Sequence, residues 1–177
     1  MSSLMVTLSG VDERLLLSLL ERRRPRLDTA MRTITRVGNP SVIVPVTIAL
    51  VFGVVPGLEA AGVIAAWSLA LSHALVQILK RCICRPRPRL PVGLTWLIEP
   101  EDRFSFPSGH AAAGLSVALP LCLALGGASG FAVLGTGLCV GVSRCYLGVH
   151  YPGDVAVGWS LATATVWGVS AWPGIGL

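Results

Sequence analysis

The chain is 177 residues long, 53% hydrophobic and 13% charged, with a net charge of +5, and its mean hydropathy is +0.72. A soluble domain carries about a quarter of its residues charged, so this balance excludes most soluble classes, and the abundant Leu, Val, Ala and Ile exclude a disordered chain. What remains is a small all-α integral membrane protein, whose positive charge describes its wet loops and the membrane surface, with no nucleic-acid partner.

The first 38 residues read as an amphipathic interfacial segment (1–38) ahead of a transmembrane unit (39–177). Leu15-Leu16-Leu17 and Leu19-Leu20 are apolar, but Asp12, Glu13, Arg14 and Glu21 interrupt them, which predicts a helix lying in the interface and not a span. Acidic residues ahead of the apolar run, with no small-residue cleavage site after it, argue against a signal peptide. Arg22-Arg23-Arg24-Pro25-Arg26 reads as a solvated anchor on anionic headgroups. Leu27, Ala30, Met31 and Ile34 then recur at helical spacing in a second amphipathic segment.

Beyond this point, stretches free of charge locate the spans, because an ionised group near the bilayer centre is costly. Charge is absent from Val37 to Leu58, Ala60 to Leu79, Phe104 to Ser143 and Val155 to Leu177. A crossing needs about 20 apolar residues, so the third gap holds two helices, joined through Gly126 to Gly130, and the others one each. The expected architecture is a bundle of about five spans at 39–57, 60–80, 109–127, 130–148 and 154–172. Pro56-Gly57 closes the first, and small residues such as Ala111-Ala112-Ala113-Gly114 and Gly135-Thr136-Gly137 permit close helix packing. The five cysteines form no CxxC pair and read as small apolar side chains, without metal or disulfide.

Alternating helices bring three polar clusters to one face. These are Lys80 to Arg89, Phe106-Pro107-Ser108-Gly109-His110, and Ser143-Arg144 to His150-Tyr151-Pro152-Gly153-Asp154. Phosphoryl transfer explains such a gathering, since its transition state carries spread negative charge that fixed cations and oriented donors stabilise. Lys80, Arg87 and Arg144 can supply cations, while Ser108 and Gly109 open a helix whose free N–H groups form an anion site. Of the two histidines, one can attack phosphorus and the other protonate the leaving oxygen. Asp154, across a Pro-Gly turn, can fix an imidazole tautomer.

Lys80-x6-Arg87-Pro88, Pro107-Ser108-Gly109-His110 and Ser143-Arg144-x5-His150-x3-Asp154 together resemble the three-part signature of the type 2 phosphatidic acid phosphatase superfamily. The resemblance covers Lys80 to Asp154, and the chain is similar to short bacterial members that resemble undecaprenyl pyrophosphate phosphatases. It implies a hydrolase that needs no metal or cofactor and removes phosphate from a membrane lipid. His150 would form a phosphohistidine, with Asp154 as its partner and His110 as general acid. Lys80, Arg87, Ser108, Gly109 and Arg144 would hold the phosphate, with Ser143 in support. Larger members have six spans, and here segment 10–37 replaces the first.

His73, seven residues before Lys80 and so on nearly the same helix face, reads equally as lining a lipid groove or as a packing residue. Arg81, Arg85 and Arg89 read as an interfacial basic loop, and Glu99, Glu101, Asp102 and Arg103 as solvated, in a loop that can cover the site. All 14 Lys and Arg residues fall on the face of the three clusters, the face of the N-terminus, which points it to the cytosol of a bacterial inner membrane. The resemblance points to the outer face instead. A lipid-linked phosphotransferase or a non-catalytic lipid-binding protein could use the same framework, and nothing in the pattern specifies an oligomer.

Overall fold

The computed structural model describes residues 3–174, so residues 1–2 and 175–177 of the expected segments lie outside the described residues. Within these limits the chain forms seven helices and no strand. They are α1 (Ser3–Leu20), α2 (Pro25–Val37), α3 (Pro40–Val51), α4 (Glu59–Ile83), α5 (Gly109–Leu125), α6 (Gly127–Tyr146) and α7 (Pro152–Ser170).

Five of these helices stand where five spans are expected, with different ends. At 25 residues, α4 is about 37 Å long and exceeds the hydrocarbon core. By length and hydropathy α4 and α6 can each cross a membrane, and α2 with α3, bent by 48° at Gly38–Asn39, makes a third such unit. Taken alone, α3 stops at Val51, not at Pro56, and its 12 residues span only about 18 Å. The stop is a Schellman motif: Val54 N–H donates to Ala49 O and Gly53 N–H to Leu50 O, with Gly53 at φ 71°. The turn after α5 is also tighter than expected, because Gly126 at φ 60° breaks the helix and α6 resumes at Gly127.

At the centre lies α5, packed on α4, α6 and α7. Its small residues set the spacing: a Cβ on Gly114 would lie 3.2 Å from Gly137 O, and one on Gly137 would lie 2.5 Å from Ala118 Cβ. A buried Ser72–Ser116 hydroxyl pair at 2.9 Å ties α4 to α5. Outward-facing Ile48, Trp67, Leu71, Ile78, Leu123, Phe131 and Trp167 leave an apolar perimeter, as a bundle in lipid requires. The amino-terminal segment is part of this body. Leu16 and Leu20 of α1 are buried against Ala111, Cys145 and Val155, and α2 packs along α6.

Candidate active site

The polar clusters meet at one end of a cavity of about 480 Å³ between α3, α4 and α5. Lys80, Arg87, Gly109, His110, Arg144 and His150 line its head, while Ile43, Val44, Ile48, Leu69 and Ala70 line its tail. His73 and Gln77 lie on the α4 wall between the two and face each other at 3.3 Å, so His73 takes the groove position.

Short-range structure positions each head residue. Lys80 sits in the last turn of α4, where Cys84 in the left-handed region caps the helix and turns the chain into the loop. Ser105 holds the two arms of that loop together, its N–H donating to Arg85 O at 2.9 Å and its Oγ to Pro86 O at 3.0 Å. Arg87 is thereby turned inward, donating to Val149 O at 2.8 Å and facing His150 Nε2 at 3.3 Å. After α6 the chain reverses sharply through Gly148 at φ 86°, and the N–H groups of Val149 and His150 both return to Arg144 O. Asp154 opens α7, and its carbonyl accepts Ser108 N–H at 2.9 Å, which fixes the start of α5 against α7. Gly158 permits this approach, since a Cβ there would lie 2.6 Å from Ser108 O.

His150 is buried, with Nε2 toward Arg87 and Nδ1 3.6 Å from Asp154 Oδ2, too long for a hydrogen bond. Among the described residues Nδ1 has no other partner. Burial lowers the imidazole pKa from its ordinary 6.5 to about 4; Asp154 opposes this, and Arg144 and Arg87 add to it. The ring is therefore neutral at neutral pH, and a proton on Nδ1 toward Asp154 leaves the Nε2 lone pair facing the cations. Asp154 is fully buried, and its Oδ2 accepts Tyr151 N–H at 2.8 Å.

The other expected residues divide into those on the cavity and those behind it. His110 lines the cavity, with Nε2 2.8 Å from Asn39 Oδ1 and 3.3 Å from Glu101 Oε1. Arg144 is buried, reaches Thr35 Oγ1 through Nη1 at 2.9 Å, and among the described residues leaves its Nε without a partner. Gly109 lines the cavity, whereas Ser108 caps α5, its Oγ accepting Ala111 N–H, and does not line it. Ser143 also lies behind the cavity, its Oγ donating to Val140 O at 2.6 Å.

Several groups that read as solvated are engaged. Asp102 accepts from Lys80 Nζ at 2.6 Å and from Arg87 Nη2 at 3.0 Å. Partial burial raises its pKa, yet Lys80 and Arg87 together hold the carboxyl below the ordinary range. Arg23, read as a headgroup anchor, instead donates to Tyr146 O and Thr95 O. Arg85 is no free loop charge, for it pairs with Asp154 at 2.7 Å and Asp12 at 2.8 Å. Sequence reasoning missed Asn39 and Thr35. Asn39 carried a signal in Gly38-Asn39-Pro40, a polar residue at a helix break next to a span.

An apolar helical bundle with two histidines and a buried carboxylate gathered at its cationic end defines a helical membrane protein with a polar site at one end of the bundle. The chain belongs to the PAP2 superfamily, whose family model matches residues 61–175. It is 36% identical over 96 residues to decaprenylphosphoryl-5-phosphoribose phosphatase of Mycobacterium tuberculosis, a match covering 54% of this chain and 51% of that protein. It is 31% identical over 140 residues to undecaprenyl-diphosphatase of Sulfolobus acidocaldarius, covering 77% of this chain and 66% of the relative. The chain thus spans about half the length of the mycobacterial relative. Among solved structures, Aquifex aeolicus LpxE superposes with a TM-score of 0.76 at 26% identity, over 87% of this chain and 91% of that one. The phosphatidylglycerolphosphate phosphatase of Bacillus subtilis superposes with a TM-score of 0.69 at 26% identity, over 91% and 83%.

Proposed function

We propose that the chain is a lipid phosphatase, hydrolysing a phosphomonoester or diphosphate of a membrane lipid through a phosphohistidine on His150. The observation that carries this reading is the neutral, buried His150 with its Nε2 toward Arg87, at the cationic head of a cavity whose tail is apolar. The acyl or prenyl chain occupies the α3–α4 groove, and the phosphate meets Lys80, Arg87, Arg144 and the N–H groups opening α5 at Gly109.

In the first step His150 Nε2 forms a bond to phosphorus as the bond to the lipid oxygen breaks. His110, as the imidazolium, gives a proton to that oxygen and is left neutral, and Asp154 stabilises the charge developing on the His150 ring. In the second step water attacks the phosphohistidine, the N–P bond breaks, and His110 takes the water proton. The cations bear the charge of both transition states, so no metal is required.

Four substrate classes fit a phosphate head on an apolar tail: polyprenyl diphosphate, polyprenyl-phosphosugar phosphate, phosphatidylglycerophosphate and phosphatidic acid. The names of the relatives favour the first three. In this reading the protein sits in the cell membrane, and the one-sided Lys and Arg distribution supports a site on the cytosolic face. A phosphate-release panel over the four classes, with purified protein in detergent, tests the activity. Release from at least one class that disappears in His150→Ala supports it, and label passing to an acceptor lipid instead of water would reassign it as a transferase. Cys82 and Cys84 are exposed beside the site, and their labelling by an impermeant thiol reagent in sealed right-side-out vesicles would overturn the cytosolic placement.

A further inference from the structure

Helix α1 reaches the catalytic pair through one arginine. Arg85 lies two residues before Arg87 but does not line the cavity. Its Nη1 donates to Asp154 Oδ1 at 2.7 Å, its Nη2 donates to Asp12 Oδ2 at 2.8 Å, and its Cζ lies 4.1 Å from the centroid of the Tyr151 ring. Asp12 belongs to α1, and its other oxygen accepts Gly153 N–H at 2.7 Å, one residue before Asp154. The side chains of Asp154, Asp12 and Arg85 are only 0%, 13% and 22% exposed, so water screens these contacts weakly.

We infer that Arg85 is a positioning residue for the Asp154–His150 pair, and that Asp12 makes the seating of α1 part of that pair's electrostatics. The inference rests on the assignment of His150 as nucleophile. The Asp154 carboxylate has only two oxygens. Arg85 holds Oδ1, which leaves Oδ2 for Tyr151 N–H and the His150 ring. The positive charge of Arg85 also withdraws part of the carboxylate's pull on the imidazole, and Asp12 returns part of it. Arg87 from the loop after α4, Arg144 from α6 and His110 from α5 also face His150, and Lys80, Glu101 and Asp102 line the same cavity. Substitutions at Arg85 and Asp12 leave all of these groups in place, so the shifts they cause report the Asp12–Arg85–Asp154 chain. Leu16 and Leu20, one and two turns beyond Asp12, anchor α1 in the bundle so that Asp12 is held at this distance.

The chain contains three histidines, His73, His110 and His150, so their ring signals can be followed individually by NMR of histidine-labelled full-length protein in detergent, with each resonance assigned by a His→Gln variant. Arg85→Met exposes His150 to the full charge of Asp154 and Asp12, and its titration moves up by roughly half a pH unit or more. Asp12→Asn leaves Arg85 less compensated, and the titration moves down. Arg85→Lys returns it most of the way to wild type. Arg23→Ala loosens the amino-terminal segment without touching this chain of charges, and leaves the His150 titration in place.

Opposite shifts in Arg85→Met and Asp12→Asn support the inference; no shift, or shifts of one sign, overturn it. Should Arg85→Met fail to fold, the near-isosteric Asp12→Asn decides by its sign alone. Kinetics on whichever lipid the panel selects add a second readout, with kcat of Arg85→Met falling roughly 10-fold or more and KM held within about 2-fold. Opposite NMR shifts in a protein that turns over no lipid would uphold the electrostatic chain and reject the phosphatase reading, so the two failures are distinguishable.

Discussion

Asp154→Asn isolates what a carboxylate does that its isosteric amide cannot. Asp154 Oδ1 accepts from Arg85 Nη1 at 2.7 Å and Oδ2 accepts from Tyr151 N–H at 2.8 Å, and both partners are donors. An amide has one oxygen and one NH₂, so either orientation sets a donor against a donor. With the oxygen toward Tyr151, Arg85 loses its buried partner. With the oxygen toward Arg85, the NH₂ faces Tyr151 N–H and the His150 Nδ1 only 3.6 Å from that position. The imidazole proton is then driven onto Nε2, the attacking atom of the proposed mechanism. One lost charge-assisted hydrogen bond costs about 1.5 to 3 kcal/mol of stability. The wrong tautomer and the missing counter-charge together lower kcat by about 10³-fold or more, roughly 4 kcal/mol in the barrier. Steady-state phosphate release, with a thermal melt in the same detergent, separates the two effects. A variant that melts several degrees lower yet keeps kcat within about threefold of wild type would refute the role given to Asp154.

Further outcomes follow from the same geometry. Because the folded-state pKa of His150 is lowered from 6.5 to about 4, the unfolded chain binds the extra proton first as pH falls. Stability from this group is full above pH 6.5 and is lost as pH drops toward 4, by about 3 kcal/mol in all, and the neutral imidazole that the proposed mechanism needs disappears over the lower part of the same range. Thermal melts and kcat profiles between these limits check the sign. Asp102→Asn removes the carboxylate that neutralises Lys80 and Arg87, so KM for the lipid phosphate should fall several-fold with kcat little changed, and a raised KM would show that Asp102 serves the site by holding the two cations in place. Activity should survive EDTA, measured after dialysis against it.

The candidate site was legible because its chemistry is written in local spacing. Lys80 and Arg87 flank one loop, Ser108 to His110 open one helix, and Arg144 to Asp154 span one turn, so their convergence follows from alternating helices. The contacts made by α1 and α2 were not legible. Asp12 reaches Arg85 and Thr35 reaches Arg144 across long stretches of chain, and no periodicity encodes such pairs. Charges inside an apolar run read as a reason not to span, but the charge of Asp12 is also a partner for a loop arginine. Glu101 and Asp102 read as solvated because loop acids usually are, whereas here two buried cations recruit Asp102. The first span failed at its end because Pro56-Gly57 is the louder signal, while Gly53, three residues earlier, takes the left-handed conformation that stops the helix.

The central claim is that His150 carries the phosphoryl group. Rapid acid-free quenching of the enzyme with a lipid labelled in its terminal phosphate, followed by peptide mass spectrometry under alkaline conditions, tests it directly. The expected result is a phosphorus–nitrogen adduct on His150, labile in acid, stable in base and absent from His150→Ala. An adduct on another residue, or turnover by His150→Ala at a rate near wild type, would contradict it.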